Sequence, residues 1–184
     1  TCFASRGSAV RSRVAPPFSI MSLNITLIGM AGSGKSTIGK ALSEKLNKSF
    51  IDSDKLIEEQ LQMPLQQILE DNGYLKLRQI EAELIQTIEM DNTVLATGGS
   101  AVYSPHAMEH LALQSTIIYL QVPLEAIYER VEDFENRGFA KHPDQTIEEV
   151  YRERVSLYER YTDLTIENIN SADICIEAII KKLK

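Results

Sequence analysis

Short apolar runs alternate along this chain with longer segments in which apolar residues recur every three or four positions. The five runs are NITLIG from Asn24, KSFIDSD from Lys48, TVLATGG from Thr93, STIIYLQV from Ser115 and LTIEN from Leu164. Runs of this length predict β-strands, and the periodic segments between them predict amphipathic helices. Because strands separated by helices pair in parallel and are covered on both faces, the pattern predicts a three-layer α/β domain.

The helix boundaries follow from capping signals and helix breakers. Thr146 and Glu149 have the Thr-x-x-Glu spacing of a capping box, so a helix is predicted from there to about Asp163. The other predicted helices are 36–46, 55–61, a segment from Pro64 to the sequence DNG, 74–90, PHAMEHLAL, one opened by Pro123, and the C-terminal SADICIEAIIKKLK. Residues 133–145 have no apolar period, so they predict a mobile loop, here called the lid.

Composition narrows the range of functions. With 184 residues, of which 43% are hydrophobic, the chain is long enough for one domain with a sizeable core. The formal charge of -7 argues against a nucleic-acid partner and favours a small molecule. No apolar run approaches the roughly 20 residues that span a bilayer, so no membrane partner is expected. Cys2 and Cys175 form neither a metal spacing nor a disulfide framework, and a reducing cytoplasm is the expected location.

The first 23 residues differ in composition from the rest. Residues 1–20 contain three arginines, four serines and no acid, a composition similar to that of an organelle transit peptide. Met21-Ser22-Leu23 instead favours a start codon preceded by vector-derived residues. We therefore expect residues 1–23 to lie outside the fold and residues 24–184 to form the single domain.

The sequence Gly29-x-x-x-x-Gly34-Lys35-Ser36 lies between a predicted strand and a predicted helix. In that context the pattern predicts a phosphate-binding loop, because bare backbone N–H groups and the helix N-terminus surround an anion. Lys35 is expected to reach the β- and γ-phosphates, and the Ser36 hydroxyl to bind Mg²⁺. The candidate nucleotide-binding residues of this loop are Gly32, Ser33, Gly34, Lys35, Ser36 and Thr37. The alternative is a tight glycine turn without a ligand.

Asp52 and Asp54 end the second predicted strand. In extended geometry residues two apart point to the same face, so both carboxylates would face one site. Beside a phosphate loop, one could hold hydrated Mg²⁺ and the other could accept a proton from an attacking hydroxyl. The alternative is that both only solvate the turn and cap the next helix.

Three further charged residues lie on predicted helices. Arg78 and Glu81 are three apart, and this spacing alone predicts an exposed ion pair. Arg154 lies near the middle of the apolar stripe of its helix, whereas Arg152 and Arg160 point elsewhere. An arginine that points into the core needs an anionic partner, which is either a bound ligand or an acidic side chain of the protein itself.

These sequences, in this order, resemble the shikimate kinase family within the nucleoside-monophosphate-kinase-like group of phosphate-loop folds. The resemblance covers about Asn24 to the C-terminus and includes FIDSD, LRQIE, TGG and RVSLYERYTDLTI besides the phosphate loop. It implies a five-stranded parallel sheet with a lid, a monomer, and transfer of the γ-phosphate of ATP to the 3-hydroxyl of shikimate.

The resemblance also implies roles for individual residues. Asp54 would hold the acceptor hydroxyl, Arg78 and Arg154 its carboxylate, and Gly98 and Gly99 would line its pocket. Asp52 would assist Mg²⁺, and Arg130 would lie near the nucleotide.

The chain departs from the family pattern at several of these sites. The family's Gly-Glu before Phe-Arg is Gly73-Tyr74 here, its Phe is Leu77, and its third pocket glycine is Ser100. The Arg-Pro of the family's lid is replaced by Lys141-His142-Pro143, so Arg137 or Lys141 is the candidate catalytic cation of the lid. Two alternatives stay open: a related kinase for gluconate or homoserine, and a nucleotide-binding regulatory module without phosphoryl transfer.

Overall fold

The computed structural model describes residues 24–131, 134 and 138–184. Its sheet has five parallel strands in the order β2-β3-β1-β4-β5, which confirms the predicted architecture. The strands are β1 (Asn24–Ile28), β2 (Ser49–Asp52), β3 (Thr93–Ala96), β4 (Ser115–Gln121) and β5 (Leu164–Glu167). The helices are α1 (Lys35–Leu46), α2 (Ser53–Leu61), α3 (Leu65–Thr87), α4 (Pro105–Gln114), α5 (Leu124–Arg130), α6 (Ile147–Tyr161) and α7 (Ala172–Leu183).

Side chains alternate between two apolar cores, one on each face of the sheet. Ile25 and Leu27 of β1 pack into the core that α1 and α7 cover, whereas Ile28 packs into the core under α3, α4 and α6. Every residue of β1 is buried, as expected for a central parallel strand. No helix in the described ranges is long and apolar enough to cross a bilayer.

Several boundaries differ from the predicted ones. The two predicted helices around the sequence DNG form one element, α3, with a break at Gly73, whose φ of +80° is not helical. A short 3₁₀ turn, Ala101–Tyr103, was not predicted because three residues carry no periodic signal. The capping box at Thr146 and Glu149 is confirmed by both of its hydrogen bonds. Within the predicted lid, residues 138–145 form neither helix nor strand, and the lid's mobility stays a prediction.

Candidate active site

The phosphate loop connects β1 to α1 at the carboxyl edge of the sheet. Gly34 is the N-cap of α1 and has a φ of +90°, a conformation that residues with a Cβ rarely adopt. The N-terminus of α1 faces a cleft of about 850 Å³. The cleft is lined by the predicted residues Gly32, Gly34, Lys35, Ser36, Thr37, Asp52, Asp54 and Arg130 among others.

Lys35 is buried beneath this loop. Its Nζ donates hydrogen bonds to the carbonyl oxygens of Gly29 at 2.8 Å and Met30 at 2.9 Å. Burial lowers the pKa of Lys35 to about 8, although the carboxylates of Asp54 and Asp52 act in the opposite direction. The amine is therefore held close to the loop by hydrogen bonds to carbonyl oxygens, and an anionic oxygen could take the place of these acceptors.

Asp52 and Asp54 line the same cleft, but only Asp52 has the predicted extended geometry. The strand ends at Asp52, which caps α2: its Oδ1 accepts hydrogen bonds from the N–H groups of Asp54 at 3.1 Å and Lys55 at 3.4 Å. Asp54 lies in the first turn of α2. The predicted extended conformation is confirmed for Asp52 and wrong for Asp54, because aspartate is a strong N-cap and starts the helix two residues early.

A second, much smaller cavity of about 50 Å³ lies beside the cleft. Its walls include Asp54, Glu81, Gly98, Gly99, Ser100, Phe139, Ala140 and Arg154. A Cβ on Gly98 would lie 2.5 Å from Asp54 Oδ1 and closer still to Glu81 Oε1, so only bare backbone fits between the two carboxyl groups. Asp54 and Ala31 are the residues that line both the cleft and this cavity.

Glu81 is 3% exposed and faces this cavity. The Ser100 hydroxyl donates a hydrogen bond to its Oε2. Burial raises the pKa of Glu81 to about 7, and the charge of Asp54 raises it further. Burial also raises the pKa of Asp54 to about 6, although the charge of Lys35 acts in the opposite direction. The exposed Arg78–Glu81 ion pair was a wrong prediction: spacing along a helix does not reveal that Glu81 lies on the buried side.

Arg154 is 1% exposed, so its predicted inward position is confirmed. One terminal nitrogen of its guanidinium donates to the Ala140 carbonyl oxygen at 2.7 Å. Arg78, from α3, donates to the same oxygen at 3.0 Å. The two guanidinium groups thus converge on one oxygen atom of the lid.

Arg130 reaches the cleft through a residue that the sequence did not single out. Its guanidinium donates to the Asn168 carbonyl oxygen at 2.7 Å, and the Asn168 side chain donates to the Ser33 carbonyl oxygen at 2.8 Å. Asn168 is buried and ties the end of β5 to the phosphate loop. An asparagine after a short strand carries no pattern that could have revealed this role.

Of the two candidate lid cations, Lys141 is described by the structure and is not brought to the site. Lys141 Nζ contacts the carbonyl oxygens of His142 and Pro143, at 3.3 and 3.2 Å, and Lys141 lines neither the cleft nor the small cavity. Arg137 lies outside the described residues.

Comparisons with known proteins identify the family of this chain. The family described as shikimate kinase matches residues 31–184. A shikimate kinase from Sulfurihydrogenibium sp. is 34% identical over 163 residues, which cover 88% of this chain and 98% of that protein. The chain belongs to the shikimate kinase family. Members of this family are ATP-dependent phosphotransferases that act on an alcohol group.

Solved structures agree with this assignment. A shikimate kinase from Acinetobacter baumannii in complex with shikimate superposes with a TM-score of 0.81 and 29% identity, over 89% of this chain and 94% of that one. A shikimate kinase from Aquifex aeolicus superposes with a TM-score of 0.77 and 29% identity, over 88% and 96% of the two chains.

Proposed function

We propose that this chain transfers the γ-phosphate of ATP to the 3-hydroxyl of shikimate. The observation that supports this most strongly is the place of Asp54, which lines both the phosphate-loop cleft and the small cavity that Arg154 also lines. A group at that junction can touch an acceptor hydroxyl and the transferring phosphoryl group together. Phosphoryl transfer requires mainly such positioning and charge stabilisation.

On the donor side, residues 32–37 would surround the phosphates of ATP. Lys35 would exchange its bonds to the Gly29 and Met30 carbonyl oxygens for bonds to phosphate oxygens. A phosphate would also offset the burial that lowers the lysine pKa, and so would keep the amine protonated. Arg130 would lie along the nucleotide from the Asn168 side of the cleft.

The residues present fit Mg²⁺, which this family mechanism implies. The Ser36 hydroxyl and the Asp52 carboxylate line the cleft, and the capping hydrogen bonds use only Oδ1 of Asp52. Mg²⁺ is commonly held by one or two protein oxygen ligands together with phosphates and water. When bound, it would supply neutralising charge to the β- and γ-phosphate oxygens.

On the acceptor side, Arg78 and Arg154 would hold the carboxylate of shikimate. The Ala140 carbonyl oxygen now occupies the point where their N–H groups converge. Gly98 and Gly99 would let the ring approach the backbone. The cavity, at about 50 Å³, is far below the ~300 Å³ of small ligand pockets, so residues 138–140 would have to withdraw before the acceptor enters.

Asp54 would act as the general base. The acceptor hydroxyl oxygen forms a bond to the γ-phosphorus, the bond from that phosphorus to the bridging oxygen of ADP breaks, and the hydroxyl proton passes to the Asp54 carboxylate. A pKa raised to about 6 suits this role, because the group is mostly ionised at pH 7 yet basic enough to take a proton. Arg137 and Lys141 remain candidate cations that a rearranged lid would bring to the phosphates.

An ADP-release assay over a panel of hydroxy acids tests the proposal. We expect the highest kcat/KM with shikimate and a product phosphorylated at the 3-hydroxyl, identified by NMR. Preference for gluconate or homoserine would assign a related kinase. Binding of ATP without turnover of any acid would assign a regulatory module instead.

We also propose that the protein acts as a cytoplasmic monomer without a nucleic-acid partner. The charge of -7 supports the absence of a polyanionic partner. Light scattering after size-exclusion chromatography would give a mass near 20.7 kDa, and a mass of twice that value would contradict the proposal.

A further inference from the structure

Tyr103 lies directly beneath both arginines of the proposed carboxylate clamp. It ends the 3₁₀ turn that follows Ser100, and its N–H donates to the Ser100 carbonyl oxygen at 3.0 Å. The guanidinium carbon of Arg78 is 3.6 Å from the centre of the Tyr103 ring, and that of Arg154 is 5.4 Å away. Both distances are within the range of a cation–π interaction.

These arginines have few other fixed partners; besides Tyr103, Arg78 lies 5.1 Å from the centre of the Tyr74 ring, which is farther than the Tyr103 ring. Among the described residues, neither forms a salt bridge, and the Nε atoms of both are buried without a hydrogen-bond partner. Their shared hydrogen-bond acceptor is the Ala140 carbonyl oxygen, which the acceptor would replace. Phe139, which also stacks on Arg154, belongs to the same lid segment.

The Tyr103 ring, in contrast, belongs to the rigid part of the fold. Ala101 and Val102, which precede it in the turn, are 2% and 1% exposed and pack in the core beneath α3, α4 and α6. The ring therefore stays in place when the lid segment moves. Stacking also differs from an ion pair, because a carboxylate at this point would occupy the N–H groups that the acceptor needs, whereas a ring face leaves them free.

We propose that Tyr103 is a positioning residue for acceptor binding: its ring orients the guanidinium groups of Arg78 and Arg154 toward the acceptor carboxylate. This inference rests on the proposed function. The ring carries the role, and the hydroxyl does not, since Tyr103 Oη is buried and has no hydrogen-bond partner among the described residues.

Steady-state kinetics of Tyr103→Leu and Tyr103→Phe test the proposal. Tyr103→Leu removes two cation–π contacts, so we expect KM for shikimate to rise about tenfold, with kcat and KM for ATP within about twofold of wild type. Tyr103→Phe keeps the ring and should behave as wild type. The matched control is Tyr161→Leu, which removes the contact between Arg160 and Tyr161, 5.5 Å apart and outside the site.

Three results would overturn the proposal: an unchanged KM for shikimate in Tyr103→Leu, an equal rise in KM for ATP, or the same loss in Tyr103→Phe. If Tyr103→Leu does not fold, fluorinated phenylalanines at position 103 weaken the ring's attraction for cations with little change of shape. The dissociation constant for shikimate should then rise with each added fluorine. A constant that stays level across the series would overturn the proposal as well.

A ligand-free measurement separates this inference from the proposed function. If wild type does not phosphorylate shikimate, the proposed function fails, but the Nε–H resonances of Arg78 and Arg154 still report on Tyr103. We expect both to shift upfield by the ring current in wild type and in Tyr103→Phe, and to lose that shift in Tyr103→Leu. Identical spectra for wild type and Tyr103→Leu would reject the positioning role whatever the acceptor is.

Discussion

The two halves of the site are built in different ways. The donor half is a contiguous loop, residues 29–37, that opens on a cleft of about 850 Å³. The acceptor half takes residues from α2, α3, the loop after β3, α6 and the lid, and encloses about 50 Å³. The donor half relies on backbone N–H groups and a helix end, which need no opposite charge to be stable. The donor half buries one charged side chain, Lys35, whereas the acceptor half buries two, Glu81 and Arg154, that come from different helices.

Burying charges makes the acceptor half sensitive to its neighbours. Glu81 and Arg154 are 3% and 1% exposed, and each depends on partners contributed by other elements. The departures from the family pattern at Leu77 and Ser100 both lie along this small cavity. We therefore expect the donor half to determine the reaction and the acceptor half to determine which hydroxy acid is accepted.

The largest expected effect comes from breaking the donor half at Lys35. Lys35→Met removes the positive charge that would meet the γ-phosphate as it gathers negative charge, so kcat should fall by at least about 10³-fold. The measurement is the ADP-release assay with shikimate. Lys45→Met, at the exposed end of the same helix, is the control and should keep wild-type turnover. A near-normal kcat in a folded Lys35→Met protein would contradict the proposal that Lys35 stabilises the transferring phosphoryl group.

The next effect concerns the acceptor half. Arg154→Lys keeps the charge but loses the planar fork, so KM for shikimate should rise about 10- to 100-fold, equivalent to ~1.5–3 kcal/mol, while KM for ATP stays unchanged. Arg78→Lys should act similarly. Arg152→Lys, on the exposed side of α6, is the matched control.

An amide analogue of shikimate gives a second measure of the clamp. Wild type should discriminate strongly against the neutral amide, and Arg154→Lys should discriminate less. Equal discrimination by wild type and variant would mean that these arginines do not bind the carboxylate.

The same contrast explains which features of the fold and of the site could be predicted from the sequence. The phosphate loop, the sheet and the inward side of Arg154 follow from local patterns, namely glycine spacing, strand length and helical period. The burial of Glu81 and the contacts of Tyr103 arise from packing between elements remote in sequence. A period of 3.6 residues places Glu81 near Arg78 but says nothing about which element covers it. Such residues are found only when the fold is known.

A smaller effect is expected on stability when Glu81 is neutralised. Its pKa is raised in the folded state, so the folded protein binds more protons than the unfolded one between about pH 4.5 and 7. The free energy of unfolding of wild type should therefore fall as the pH rises through this window. Glu81→Gln should remove that loss, with a gain on the order of 1–3 kcal/mol at pH 8 and little difference below pH 4.5.

Urea denaturation across this pH range measures the effect. Glu83→Gln, exposed on the same helix, is the control and should follow wild type. If the free energies of unfolding of wild type and Glu81→Gln change in parallel with pH, the buried carboxyl group does not lower the stability as the pH rises.

The smallest effect tests how the lid couples the two halves. The acceptor carboxylate and the Ala140 carbonyl oxygen compete for the same arginine N–H groups, so shikimate alone should speed amide exchange at residues 139–141 a few-fold. An ATP analogue alone should leave this exchange unchanged. Both ligands together should slow the exchange below its rate in the free protein, because the lid then closes over them.

Gln66 offers an independent test, since its side chain accepts a hydrogen bond from the Gly138 N–H at 2.9 Å. Gln66→Ala weakens the lid's hold without touching either arginine, so KM for shikimate should fall about two- to fivefold. If KM instead stays level and shikimate alone leaves exchange unchanged, residues 138–140 do not compete with the acceptor.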